Sequence, residues 1–120
     1  MAFESTHSKV DSIILLSLKG SIVAGGDSEK LSSLVGEFLE AGECHIILDL
    51  AQVNFIDSTG IGALIRVHSS AMRKGATVKL LRLTKRVYDV LQITRLSSVF
   101  EMYDDLEKAK ASFGAASPGA

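Results

Sequence analysis

The sequence predicts an α/β domain with a partly parallel sheet, and three observations lead there. Apolar runs of strand length alternate with amphipathic stretches of helix length, the pattern that crossover connections leave in a chain. His45-Ile46-Ile47-Leu48-Asp49-Leu50 is apolar at most positions, as in a central strand covered on both faces. Two strand-like stretches open the chain with a short turn between them, which adds an antiparallel hairpin.

Taken in order, the first strand runs from near Phe3 to Val10, and Asp11-Ser12 turns the chain. Ile13-Ile14-Leu15-Leu16-Ser17-Leu18 forms the second strand, which Ser21-Ile22-Val23 prolongs until Gly25-Gly26 breaks it. Leu31, Leu34, Val35, Phe38 and Leu39 then recur at helical spacing as one core-facing stripe. Asp27 or Ser28 is expected to cap this helix, and Gly42 to end it in a left-handed C′ position. After the central strand, Ala51 to Ile56 leads into Asp57-Ser58-Thr59-Gly60, where a second helix starts. Its inner side is expected to carry Ile61, Leu64, Ile65, His68 and Met72, and Lys74-Gly75 closes it. Thr77 to Leu81 is a further strand, and Thr84 caps a short helix carrying Val87, Val90 and Leu91. Val99 to Tyr103 reads as an edge strand and Leu106 to Phe113 as a last helix, with Asp104-Asp105 placed to suit its positive end. Gly114 to Ala120 has the composition of a flexible tail.

The 120 residues suit one domain, and a net charge of −1 without charge runs argues against a surface that tracks nucleic acid. No apolar run approaches the roughly 20 residues that cross a bilayer. Cys44 is the only cysteine, so an internal disulfide is impossible and a cytoplasmic setting is expected. Its place before an apolar strand suggests an inert core thiol.

Catalytic arrangements are wanting. His7, His45 and His68 are far apart in sequence, no His/Cys/Asp/Glu group has metal-ligand spacing, and His68 reads as a packing residue. Ser58 is not in a Gly-x-Ser-x-Gly elbow, and Gly60-Ile61-Gly62 is too short for a dinucleotide fingerprint. Neither an enzyme nor a cofactor is expected. Arg73-Lys74 and Lys85-Arg86 read as solvated helix ends.

The stretch Phe55 to Leu64 is unusual because Gly60 and Gly62 fall in the first turns of a helix, where each costs roughly 1 kcal/mol relative to alanine. Either these glycines permit tight internal packing or they let a partner approach the backbone. Ser58 sits at or beside the N-cap, a position also hospitable to a phosphate. Added charge there would disturb an interface far more than the fold.

Together these segments resemble the STAS domain family (sulfate transporters and anti-sigma factor antagonists), specifically its stand-alone bacterial anti-sigma factor antagonists. The resemblance lies in Ile46 to Leu50, then Phe55-Ile56-Asp57-Ser58-Thr59-Gly60-Ile61-Gly62, then Leu83 to Leu91 and Ile93 to Phe100, and spans roughly residues 5 to 112. It implies one domain over residues 1–113 with a tail at 114–120. Within it lies a four- to five-stranded mixed sheet with an N-terminal antiparallel hairpin and about four helices mainly on one face. It also implies partner switching. The unmodified antagonist binds an anti-sigma factor that is itself a serine kinase of GHKL type, and this frees a sigma factor. Phosphorylation breaks the complex, and a PP2C-like phosphatase resets it. Ser58 matches the phosphoacceptor, with Thr59 as runner-up, and Asp57, Gly60, Ile61 and Gly62 would shape the docking site. The loop holding Gly25 and Asp27 would lie beside it, although here no acid precedes Asp27, a departure that bears on partner choice. The free protein is expected to be a monomer without nucleic-acid, metal or membrane contacts. Other readings are a subunit of another signalling or transport assembly, or a small-molecule or nucleotide module using the helix start at Ser58. The last lacks a basic clamp, since Arg66 lies two turns along the helix.

Overall fold

The computed structural model describes residues 3–23 and 26–116, with side chains through Phe113. Five strands form one sheet in the order β1-β2-β3-β4-β5: β1 (Glu4–Val10), β2 (Ile13–Ile22), β3 (His45–Ile56), β4 (Thr77–Leu81) and β5 (Met102–Tyr103). The β1–β2 pair is antiparallel and all other pairs are parallel. Asp11 and Ser12 join the hairpin with φ of 53° and 66°, the paired positive values of a two-residue turn that matches strand twist.

Helices α1 (Asp27–Glu40), α2 (Ser58–Arg73), α3 (Lys85–Ile93) and α4 (Leu106–Ala116) connect or follow the strands. Side chains alternate across the sheet, so β3 sends Ile46, Leu48 and Leu50 to one face and Ile47 to the other. The first set packs against α1, α2 and α3 through Leu31, Val35, Leu64, Val67, Val87 and Leu91. Ile47 joins Ile13, Leu81, Ala109 and Phe113 under α4. Three helices thus share one face, and α4 covers the other.

Several local expectations are corrected. The N-cap of α1 is Gly26, not Asp27 or Ser28: its φ of 118° suits glycine, and no side chain caps the helix. Gly42 closes α1 as expected, with φ 89° and the Gly42 and Glu43 amides donating to Leu39 and Phe38. Residues 51–56 are not a connector but the second half of β3. Of the expected strand from Val99 to Tyr103 only Met102 and Tyr103 pair, as β5, after a 3₁₀ turn at Leu96–Ser98. Helix α4 continues to Ala116, and residues 117–120 of the expected tail lie outside the described ones. Cys44 is exposed, its thiol turned back to the Gly42 carbonyl, rather than packed in the core.

One buried charge fixes the α4 face. Lys79 is 1% exposed, and its ammonium donates to Glu101 Oε1 at 2.9 Å and Ser112 Oγ at 2.7 Å while standing 4.5 Å from the Phe113 ring centre. The bond from Lys79, with a second from the Tyr103 hydroxyl, holds the Glu101 carboxyl below the ordinary 4.5. A carboxyl pKa lowered on folding adds stability above the unfolded value, and that contribution disappears as pH falls through the folded value. Glu101→Gln is therefore expected to destabilise the protein at neutral pH and to flatten its loss of stability as pH falls below the ordinary 4.5, as urea titrations on both sides of that pH would read.

Candidate functional site

Strands β2 and β3 finish side by side, with Ile22 paired to Ile56. Because they run parallel, the starts of α1 and α2 converge at this end of the sheet, where open α/β sheets place their sites. The register of β2 on β3 shifts between Ser17 and Lys19 and again between Gly20 and Ser21, and Gly20 adopts φ 100°. These irregularities bend the strand pair as bulges do.

The Ile22 carbonyl anchors the start of α2. It accepts from the Asp57 amide at 3.3 Å, and it lies under Gly60 so closely that a Cβ there would stand 2.2 Å from the Ile22 oxygen and 2.6 Å from Ile56 Cγ1. Of the two readings of the glycines, internal packing holds for Gly60. Gly62 differs: the nearest atom to a Cβ built on it is Arg66 Nη1, at 3.6 Å. Packing within the chain gives no reason for a glycine at 62.

Asp57 is the N-cap, and its Oδ1 accepts from the Gly60 amide at 2.9 Å. Ser58 is the first helical residue, beside the cap rather than on it. A carboxylate therefore already holds the anion position at this helix start, which weakens the reading of a nucleotide or small-molecule site there. Losing such a cap costs about 1 kcal/mol, so Asp57→Ala is expected to lower stability by that amount in chemical denaturation.

Burial sorts the remaining residues. Ser58 and Thr59 are exposed, Gly62 is half-buried, and Gly60 and Ile61 turn into the core. Asp27, half-buried, begins α1 at the same end of the sheet, while Gly25 lies outside the described residues. The inner stripe of α2 is Gly60, Ile61, Ala63, Leu64, Val67 and Ala71, so Ile65 (40% exposed) and Met72 (65%) face outward instead. Small residues let the helix approach the sheet closely, and this rotates the larger apolar side chains out. His68 sets its ring edge to face on Phe100 at 5.3 Å and is a packing residue, as expected.

An unforeseen surface results. Ser58, Gly62 and Ile65 fall at i, i+4 and i+7 along the outer face of α2, and Phe55 (44% exposed) precedes them on β3. Its signal in the sequence is the gap in bulk at 58, 59 and 62 between two large apolar residues. Among the described residues no group of His, Cys, Asp and Glu could hold a metal ion, and no helix is long and apolar enough to cross a membrane.

Comparison with known proteins supplies a family for this geometry. The STAS domain matches residues 6–109. BtrV of Bordetella bronchiseptica, named as an anti-sigma factor antagonist, is 26% identical over 113 residues, which is 94% of this chain and 97% of that protein. The crystal structure of TM1081 from Thermotoga maritima, also named as an anti-sigma factor antagonist, superposes with a TM-score of 0.83 at 25% identity, covering 90% of this chain and 92% of that one. SpoIIAA of Bacillus in its phosphorylated form shares the fold at a TM-score of 0.64 and 20% identity, covering 93% and 99% of the two chains. The chain belongs to the STAS domain family.

Proposed function

We propose that the chain is a phosphorylation-controlled partner switch, an anti-sigma factor antagonist that binds an anti-sigma factor while Ser58 is unmodified and releases it once Ser58 carries a phosphate. One observation carries the reading. The Ser58 hydroxyl is exposed on a helix start that is held from below by the Ile22 carbonyl, on an outer helix face that carries Thr59, Gly62 and Ile65. The partner that fits is an anti-sigma factor that is also a serine kinase, of GHKL type, with a PP2C-like phosphatase for the reverse step. In the forward step the Ser58 oxygen attacks the γ-phosphorus of ATP, ADP leaves, and the hydroxyl proton passes to a base on the kinase. Asp57, Gly60 and Ile61 support this surface from within, and Asp27 borders it from α1.

The test is capture from native lysate with wild-type protein and Ser58→Asp as parallel baits, read by quantitative mass spectrometry. A kinase-type anti-sigma factor retained by wild type and lost with Ser58→Asp supports the switch. Equal retention of the same proteins by both baits contradicts it and reduces Ser58 to a helix-start residue.

A further inference from the structure

We infer that Arg66 receives the phosphate carried by Ser58, as a clamp within the same helix; the inference rests on Ser58 being the modified residue. Residues eight apart on a helix do not ordinarily meet, because neighbours on one face are three or four apart. Here the intervening position is Gly62, and the Arg66 side chain lies back over it with Nη1 3.6 Å from the place a Cβ would occupy. Long helical side chains lean toward the N-terminus, and the missing side chain leaves a lane in that direction. The guanidinium thus lies beside Gly62, the residue between Arg66 and Ser58 on this face.

Three further observations converge on the pairing. Arg66 is exposed and, among the described residues, forms no ion pair or hydrogen bond, so its donors are available. The helix-start amide of Gly60 is already taken by Asp57, which leaves a phosphate on Ser58 fewer backbone donors. A lane for Arg66 asks for a small residue at 62, which Gly62 supplies. Four residues of helix rise, about 6 Å, separate the levels of Gly62 and Ser58, a gap that a phosphate and a shift of the arginine side chain close together. A guanidinium presents paired donors to phosphate oxygens, which makes the contact directional as well as electrostatic. Arg66 would then hold the phosphate against the helix surface and set how readily it is removed.

The experiment installs phosphoserine at position 58 during synthesis, so no kinase is required. It follows the second ionisation of the phosphate by phosphorus NMR in wild type, Arg66→Ala, Arg66→Lys, Gly62→Leu and Arg86→Ala. All five proteins keep Asp57 and Asp27, whose influence cancels in the comparison. A phosphoserine ionises near pH 6, and pairing with a cation lowers that value. Arg66→Ala is expected to raise it by about half a unit or more over wild type, Arg66→Lys by less, and Gly62→Leu to match Arg66→Ala by filling the lane. Arg86→Ala is expected to change nothing. Equal values in wild type and Arg66→Ala, or a shift with Arg86→Ala instead, would overturn the inference. Because the phosphate is supplied chemically, that failure is separate from any failure of Ser58 to be phosphorylated by a partner.

Discussion

Gly60→Ala is expected to destabilise the protein by about 2–3 kcal/mol, while Gly62→Ala, two residues away, stabilises it by up to about 1 kcal/mol. Both glycines lie in the first turns of α2, and helix propensity alone would make both changes favourable. Their surroundings separate them. A Cβ at 60 would stand 2.2 Å from the Ile22 oxygen, and that oxygen belongs to backbone paired in the sheet, so the strand end or the helix start must move. The overpacking outweighs the gain in propensity. At 62 the nearest atom is the end of a flexible arginine at 3.6 Å, so the gain stands. Urea denaturation of the two variants reads the difference directly. Stabilisation by Gly60→Ala would mean that the Ile22 carbonyl does not pin the helix start.

A phosphate on Ser58 is expected to weaken binding to the anti-sigma partner by several hundred-fold while moving the thermal midpoint of the free protein by only a few degrees. In the free chain Ser58 is exposed, so the added charge stays hydrated and costs the fold little. In a complex the same group would be pressed against the partner beside Ile65, and burying the part of its roughly two charges that Arg66 leaves unpaired costs about 3–5 kcal/mol. That range corresponds to a few hundred-fold or more in affinity. Calorimetry of the phosphoserine and unmodified proteins against the same partner measures the ratio, and thermal melts of the free forms supply the control. A large loss of fold stability on phosphorylation would place the effect in the domain rather than in its docking surface.

The sheet was legible because periodicity and turn chemistry agreed. The apolar run of β3, the Asp11-Ser12 turn, and the end of α1 at Gly42 each rest on local preferences that tertiary packing did not override. The place of Ser58, Thr59 and Gly62 at a helix start was likewise legible, and α2 begins there. What escaped was set by contacts distant in sequence. The bulged pairing of β2 carries β3 on through Ile56, and nothing within residues 51–56 announces it. The outward turn of Ile65 and Met72 follows from Gly60, Ala63 and Ala71 taking the inner face, a choice made by the closeness of the sheet. Arg66 was set aside because its Cα is two turns from Ser58. Only the direction of its side chain over Gly62 brings it near.

The most direct test of the switch is to incubate the captured partner with this protein and magnesium-ATP, then map the phosphate by peptide mass spectrometry. The account predicts a single phosphate on Ser58, appearing together with dissociation of the complex. A complex that turns over ATP and leaves Ser58 unmodified, or a phosphate at another residue with the complex intact, would contradict it.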